Sequence, residues 1–299
     1  MRIAVTGARG RLGTAVVDLA IGQGHEIVAI DNNPAGPDSH RNHPQVLTVT
    51  TDVTSYEALA AAVKDTEAIV HLAAYTSPRG RSAHAVHNMN VVASYNALAA
   101  ASTYGITHVC QASSINAIGG AFSRQPQYDY FPLDEHHATY NEDPYSLSKW
   151  ICEAQADSVG RRSNDMTIAS LRLHQLVPDR ATVVDQLAGH SDTAYRGLWG
   201  YSTSDAVARA CLASLRSEWH GHEAFHIVAP QTGADRPTAD LCAEFYPQVP
   251  LRHDLPGFRG LYDCSKAERL LGWTHDTEPL TDRHPHHIAE GGRCAPQPR

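Results

Sequence analysis

The chain has 299 residues, 42% of them hydrophobic and 19% charged, which suits a soluble globular protein with one large domain or a domain carrying a smaller lobe. Its net charge of −8 and the lack of a Lys/Arg-rich patch argue against a nucleic-acid partner. No apolar run approaches the length a bilayer requires, so no membrane association is expected.

Residues 2–6 form an apolar run that ends in glycine, and residues 11–23 carry Leu12, Val16, Leu19 and Ala20 at helical spacing. A second strand runs through 25–30 and ends on Asp31; a third covers 46–50. Residues 55–64 read as a short helix with Ser55 as its N-cap. A fourth strand spans 68–72, an Ala-rich helix 83–104, and a fifth strand 107–112 that ends at Ser113-Ser114. Helix returns at 145–160 and strand at 167–171. Further on, 204–216 reads as helix, 224–228 as strand and 265–271 as a short helix.

Strands alternating with crossover helices predict an α/β fold, a Rossmann-type doubly wound parallel sheet. Residues 1–175 are the expected dinucleotide-binding core and 176–275 a small substrate-binding lobe interleaved with it. Residues 276–299 read as a flexible tail, including His284, His286 and His287. Six cysteines without a Cys-x-x-Cys pair, and a chain that enters a strand at once, predict reduced thiols and a cytoplasmic setting. None of the 19 histidines forms a convincing helical His-x-x-x-His pair, so no metal is expected.

The glycines of Gly7-x-x-Gly10-x-x-Gly13 follow the first strand and open the first helix. They let the backbone approach a pyrophosphate, whose charge the helix N-terminus favours. Asp31 ends the second strand, where a carboxylate accepts both hydroxyls of an adenosine ribose and repels a 2′-phosphate. That favours NAD, with Arg9 and Arg11 pulling the other way. Asp52 reads either as a contact to the adenine edge or as a turn aspartate.

Tyr145-Ser146-Leu147-Ser148-Lys149 sets a phenol and an ammonium four residues apart, on one face of a helix. A cation there is expected to lower the tyrosine pKa and suit it to proton transfer with a substrate hydroxyl.

Together these motifs resemble the short-chain dehydrogenase/reductase superfamily in its extended epimerase/dehydratase branch. The likeness covers about residues 1–275 and also rests on Asp31-Asn32, Asp52-Val53, His71-Leu72-Ala73-Ala74, Asn90, Ser113-Ser114 and Tyr262 to Trp273. It implies Tyr145 as acid/base, Lys149 on the nicotinamide ribose and Ser114 (rather than Ser113) on the reacting oxygen. It also implies that Arg11, Leu12, Asn32, Val53, Leu72, Ala73, Ala74 and Asn90 line the cofactor. Ser77, Ser114, Asn116, His174 and Arg180 are the candidates for the substrate.

Ile118-Gly119 stands where nucleotide-sugar enzymes often carry Tyr-Gly, His174 stands where they often carry Asn, and the lobe is short. These departures favour a free sugar or sugar acid, and the chain shows a partial likeness to uronate dehydrogenases. The alternatives are a nucleotide-sugar epimerase or dehydratase with tightly bound NAD, and an NAD(H)-binding regulator without turnover. Arg180 reads as a carboxylate ligand or as a surface arginine. Residues 115–143, rich in aromatic and acidic side chains, read equally as a lid and as a loop packed on itself. The helices over 83–104 and 145–160 are expected to pair in a homodimer.

Overall fold

A computed structural model describes residues 1–33, 40, 42–163, 165–188 and 191–276. The tail expectation, with its three histidines, therefore lies almost wholly outside the described residues. Among the described residues no helix is long and apolar enough to cross a membrane.

The core is a parallel sheet of β1 (Arg2–Thr6), β2 (Glu26–Asp31), β3 (Val46–Thr50), β4 (Ala68–His71), β5 (His108–Ser114), β6 (Thr167–Leu173) and β9 (Gly221–Ile227). Their order is β3-β2-β1-β4-β5-β6-β9, so the chain reverses direction across the sheet between β1 and β4. Ligands of such sheets bind beyond the carboxyl ends of the strands at that point. β1 and β4 are almost wholly buried because helices cover both faces, whereas the edge strand β3 alternates between half-buried and exposed.

On one face lie α1 (Arg11–Gly22), α7 (Ser204–Ser214) and α9 (Ser265–Leu271); Val16, Val17, Leu212 and Trp273 fill the space beneath them. On the other lie α2 (Tyr56–Val63), α3 (Ala83–Tyr104) and α4 (Pro144–Arg162), over Leu59, Leu98, Val159 and Ile168. Ser55 stands at the N-cap of α2, but its hydroxyl makes no capping bond, contrary to expectation. The cap that matters is Asp143, whose Oδ1 accepts from Tyr145 N at 2.9 Å and Ser146 N at 3.0 Å ahead of Pro144 in the first turn. It fixes the turn that carries Tyr145.

The lobe contains the two-stranded pair β7 (Leu176–Val177) and β8 (Ser202–Thr203), with α5 (Arg180–Ala188), α6 (Ser191–Ala194) and α8 (Thr238–Phe245). The 115–143 segment is neither a free lid nor a loop packed only on itself. Its Tyr128, Phe131 and Leu133 are buried against Tyr246, Leu255, Leu261 and Tyr262, and it forms the lobe's hydrophobic centre. Phe131 pairs with Leu251 and Leu133 with Tyr262 across short bridges. β9, α7 and α9 belong to the sheet, although they follow residue 176 in sequence.

Candidate active site

A cavity of about 1010 Å³ opens over the carboxyl ends of β1, β2, β4, β5 and β6. It stands at the upper end of the roughly 300–1,000 Å³ usual for small-molecule sites, which is room for a dinucleotide and a second molecule.

At one end is the glycine loop. Gly7 has φ +68, and a Cβ on it would meet Ala73 N at 3.0 Å. A Cβ on Gly13 would lie 2.1 Å from Gly7 O, so α1 can start this close to β1 only with glycine there. Gly10 caps α1 without a side-chain bond, which leaves the first amides of the helix free for an anion. Arg11 and Leu12 also line this end, with Arg11 Nη1 on Leu176 O at 2.8 Å.

Asp31 closes β2 at the cavity wall, beside Asn32. Its two oxygens accept Arg9 N at 3.1 Å and Asn33 N at 3.0 Å, which aims the carboxylate while leaving each oxygen a further lone pair. Thr51 and Val53 continue the wall, and Leu72, Ala73 and Ala74 face them. This cradle fits an adenosine and a pyrophosphate.

Asp52 is not part of it. Its Oδ1 accepts from Thr54 N at 2.9 Å and Thr54 Oγ1 at 2.8 Å, which makes it the turn residue before α2. Asn90 is also behind the wall: its side chain accepts from Tyr75 N at 2.8 Å and donates to Tyr75 O at 3.0 Å and Ser148 Oγ at 3.0 Å. It holds the strand-end loop in place rather than facing a ligand.

At β4 the Thr6 hydroxyl oxygen accepts from Leu72 N at 3.1 Å and Ala73 N at 3.2 Å. Its proton is left for His71 Nδ1, 2.8 Å away, so His71 carries its proton on Nε2. Burial, then the charge of Lys149, lowers the His71 pKa to about 3.

The chemistry-bearing side chains meet at the other end. Ser114 Oγ accepts from Asn116 N at 3.1 Å and Asn116 Nδ2 at 3.4 Å. Both lone pairs are thereby used, so the hydroxyl proton is left to donate, and the Ser114 hydroxyl pulls the pKa of the nearby Tyr145 phenol down. Ser113 has another partner: it donates to Glu153 Oε1 at 2.5 Å, inside the buried pair of Glu153 with Arg172. Lys149 Nζ lies 6.0 Å from the Tyr145 ring and donates to Ala112 O at 2.6 Å.

The expectation of a depressed tyrosine pKa is not met. Burial pushes the Tyr145 phenol up to about 12 and outweighs the pull of Ser114; burial also lowers Lys149. Both groups are nearly sealed from water, at 6% and 5% exposure, and desolvation wins.

Of the remaining candidates, Asn116 and His174 line the cavity, whereas Ser77 and Arg180 do not. Arg180 donates to Thr232 O and Ala234 O and lies over Phe258, which commits it to the lobe. Ser77 Oγ accepts from Arg79 N at 3.1 Å and shapes a turn. The His174 ring fits a slot where a Cβ on Gly200 would approach it to 2.7 Å. Its Nε2 donates to Gly197 O at 2.8 Å and its Nδ1 accepts from Gln175 N at 2.7 Å. Burial lowers its pKa to about 4. With both nitrogens occupied, His174 is a neutral wall residue, not a hydrogen-bonding ligand.

Sequence reading missed Thr76, Arg79, Phe122 and Trp199 in the wall. They come from loops without a motif; only the Ser77-Pro78-Arg79-Gly80 turn beyond β4 marked one of them.

A family described as the NAD dependent epimerase/dehydratase family matches residues 3–188. A putative UDP-glucose 4-epimerase of Methanocaldococcus jannaschii is 31% identical over 154 residues, which is 50% of this chain and 48% of that relative. The chain thus spans about half the length of this curated relative. The fold is shared with a UDP-glucose 4-epimerase of Thermotoga maritima in complex with UDP-glucose, at TM-score 0.68 and 21% identity over 93% of this chain and 94% of that one. It is shared too with MoeE5 in complex with UDP-glucuronic acid and NAD, at TM-score 0.67 and 20% identity over 93% and 95% of the two chains.

Proposed function

The chain belongs to the NAD dependent epimerase/dehydratase family, and from that premise we propose that it oxidises a hydroxyl of a free sugar or sugar acid. The observation that carries this reading is the convergence of Ser114, Tyr145 and Lys149 on the cavity that also holds the glycine cradle and Asp31. Bound NAD supplies the hydride acceptor. Ser114 donates to the reacting oxygen and fixes its position. Tyr145, as phenolate, takes the hydroxyl proton while the neighbouring C–H leaves as hydride, and the product is a ketone or lactone. Lys149 has donors to spare beyond Ala112 O, and these would hold the ribose hydroxyls of the bound cofactor.

The size of the substrate follows from the lobe. His174 offers no free nitrogen to a diphosphate, and Arg180 is turned away. The first feature favours a compact sugar; the second removes Arg180 as a ligand for a sugar acid's carboxylate. A second reading, a nucleotide-sugar epimerase, has the Methanocaldococcus relative in its favour. In it the hydride returns to the sugar and no NADH accumulates. The discriminating experiment incubates the protein with NAD and a panel of hexoses, uronic acids and nucleotide sugars and follows nicotinamide absorbance. NADH formed from a free sugar supports the first reading. Scrambling of a nucleotide sugar without NADH replaces it by the second, and neither activity leaves an NAD(H)-binding regulator.

We also propose a homodimer through α3 and α4. Val92 and Tyr95 on α3 and Leu147 and Trp150 on α4 are 37–45% exposed, large apolar side chains on two helices packed together. A monomer mass by light scattering at micromolar concentration would refute it. The five described cysteines are free, in keeping with a reducing, cytoplasmic setting.

A further inference from the structure

The catalytic end of the cavity holds a cation with nothing to neutralise it. Arg79 lines the wall and is exposed, and among the described residues its guanidinium makes no ion pair or side-chain hydrogen bond. It lies 6.0 Å from the Phe122 ring, whose edge in turn meets the Tyr145 ring at 5.7 Å and 88°. Phe122 is therefore the floor between the arginine and the phenol.

The other cations of the cavity are already committed. Arg11 is held on Leu176 O beside the glycine loop, and Lys149 on Ala112 O. Among the described residues the only acidic one in the wall is Asp31, at the far end where β2 closes. The nearest carboxylates are committed elsewhere: Asp143 caps α4 by accepting from Tyr145 N and Ser146 N, and Glu153 is paired with Arg172, so neither answers Arg79.

The loop bearing Arg79 is built, not loose. Asn90 grips both backbone groups of Tyr75, Arg81 stacks 4.0 Å over the Tyr75 ring, and Ser77 Oγ caps Arg79 N. Gly80 then turns with φ +75, a left-handed conformation that a side chain would resist. An unpaired guanidinium on an ordered loop, one aromatic ring away from the phenol, is suited to a planar oxyanion, which it binds through parallel N–H donors.

We infer that Arg79 determines specificity at this site by binding an anionic group, carboxylate or phosphate, on the substrate held at Ser114 and Tyr145. The inference rests on the proposed reading of those two residues as the reaction centre and adds the charge the substrate must carry. It assigns to Arg79, which lines the cavity, the anion-binding role that Arg180, held in the lobe, does not fill.

The test measures binding and turnover separately. The NADH-loaded protein is titrated calorimetrically with glucuronate, UDP-glucose and glucose, as wild type and as Arg79→Ala and Arg79→Lys. The Arg79→Ala variant should weaken the anionic ligand roughly 10- to 100-fold while glucose and NADH are unaffected, with partial recovery in Arg79→Lys. An effect on glucuronate identifies a carboxylate; an effect confined to UDP-glucose identifies a diphosphate. Equal losses for glucose and the anions, no loss in Arg79→Ala, or no binding of any of the three would overturn the inference. NADH formation is followed on the same panel. Arg79-dependent binding without NADH sinks the oxidation reading and leaves this inference standing. NADH from neutral sugars, unchanged in Arg79→Ala, does the reverse.

Discussion

The Ser113 hydroxyl donates to Glu153 Oε1 at 2.5 Å and is thereby lost to the catalytic cavity. Its neighbour Ser114 lines the cavity with Tyr145 and keeps a proton to donate. Adjacent serines thus separate structure from chemistry. Ser114→Ala should lower kcat by about 10²- to 10³-fold, the usual loss for one donor to a developing oxyanion, with little change in unfolding midpoint. Ser113→Ala should keep kcat within about threefold but destabilise the fold by roughly 1–3 kcal/mol, because buried Glu153 loses a donor. Steady-state NADH production and urea unfolding on both variants check this; equal kinetic losses would refute the division.

A buried phenol at about 12 must be ionised before it can accept a proton. Oxidation should therefore accelerate with rising pH, and the ascending limb should report Tyr145 in the loaded enzyme. Lys149 supplies a positive charge 6.0 Å from the ring. Its removal in Lys149→Met disfavours the phenolate, so the limb should move to higher pH by about one unit. The measurement is kcat/KM for the sugar, with the KM for NAD, between pH 6 and 10 on both proteins; below the phenol's pKa a one-unit move lowers kcat/KM about tenfold at each pH. A limb that stays in place would mean that Lys149 only positions the cofactor.

What could be read from the sequence was what depends on local spacing. Gly7, Gly10 and Gly13 act within one turn of backbone, and Tyr145 and Lys149 within one turn of helix, so their neighbours in sequence are their neighbours in space. The parallel sheet followed from apolar runs of the same kind. The departures were partly local bonds that compete with a ligand and partly long-range packing. Asp52 and Ser77 turned inward on their own loops, and Arg180 was drawn to carbonyls more than fifty residues away. Phe131 and Leu133 tied the 115–143 segment to residues beyond 245. The raised Tyr145 pKa came from burial, which no pair spacing encodes.

The two ends of α1 separate the cofactor cradle from the scaffold. A Cβ on Gly13 would stand 2.1 Å from Gly7 O and 2.7 Å from Ala8 Cα, both backbone atoms. Gly13→Ala must push the loop off the helix start, and NAD affinity should fall at least tenfold. A Cβ on Gly22 meets nothing within 4 Å. Gly22→Ala should leave NAD binding intact and raise stability by about 0.4–1 kcal/mol by restricting the unfolded chain. Fluorescence titration with NADH and thermal unfolding give both readouts. Unchanged NADH affinity in Gly13→Ala would remove the glycine loop from the cofactor site.

Three buried imidazoles make the fold sensitive to acid. Burial first, aided by Lys149 at His71 and Arg172 at His226, holds His71 and His226 at about 3 and His174 at about 4. In the unfolded chain each returns to an ordinary value of about 6.5. Above that pH neither state binds the protons, and the neutral rings add no pH dependence. Between pH 6.5 and 4 the unfolded chain takes up protons that the native state refuses, so stability falls as pH falls. Unfolding near pH 5 should consume about three protons at these rings, a slope of roughly 4 kcal/mol per pH unit, to which the likewise depressed His137 and His275 add. Urea midpoints at pH 7.5, 6.5, 5.5 and 5.0 measure it. His226→Leu removes one ring that carries no side-chain partner, and should flatten the slope by about 1.4 kcal/mol per pH unit. A midpoint constant from pH 7.5 to 5.0 would show that these rings are protonated in the native protein and have polar partners there.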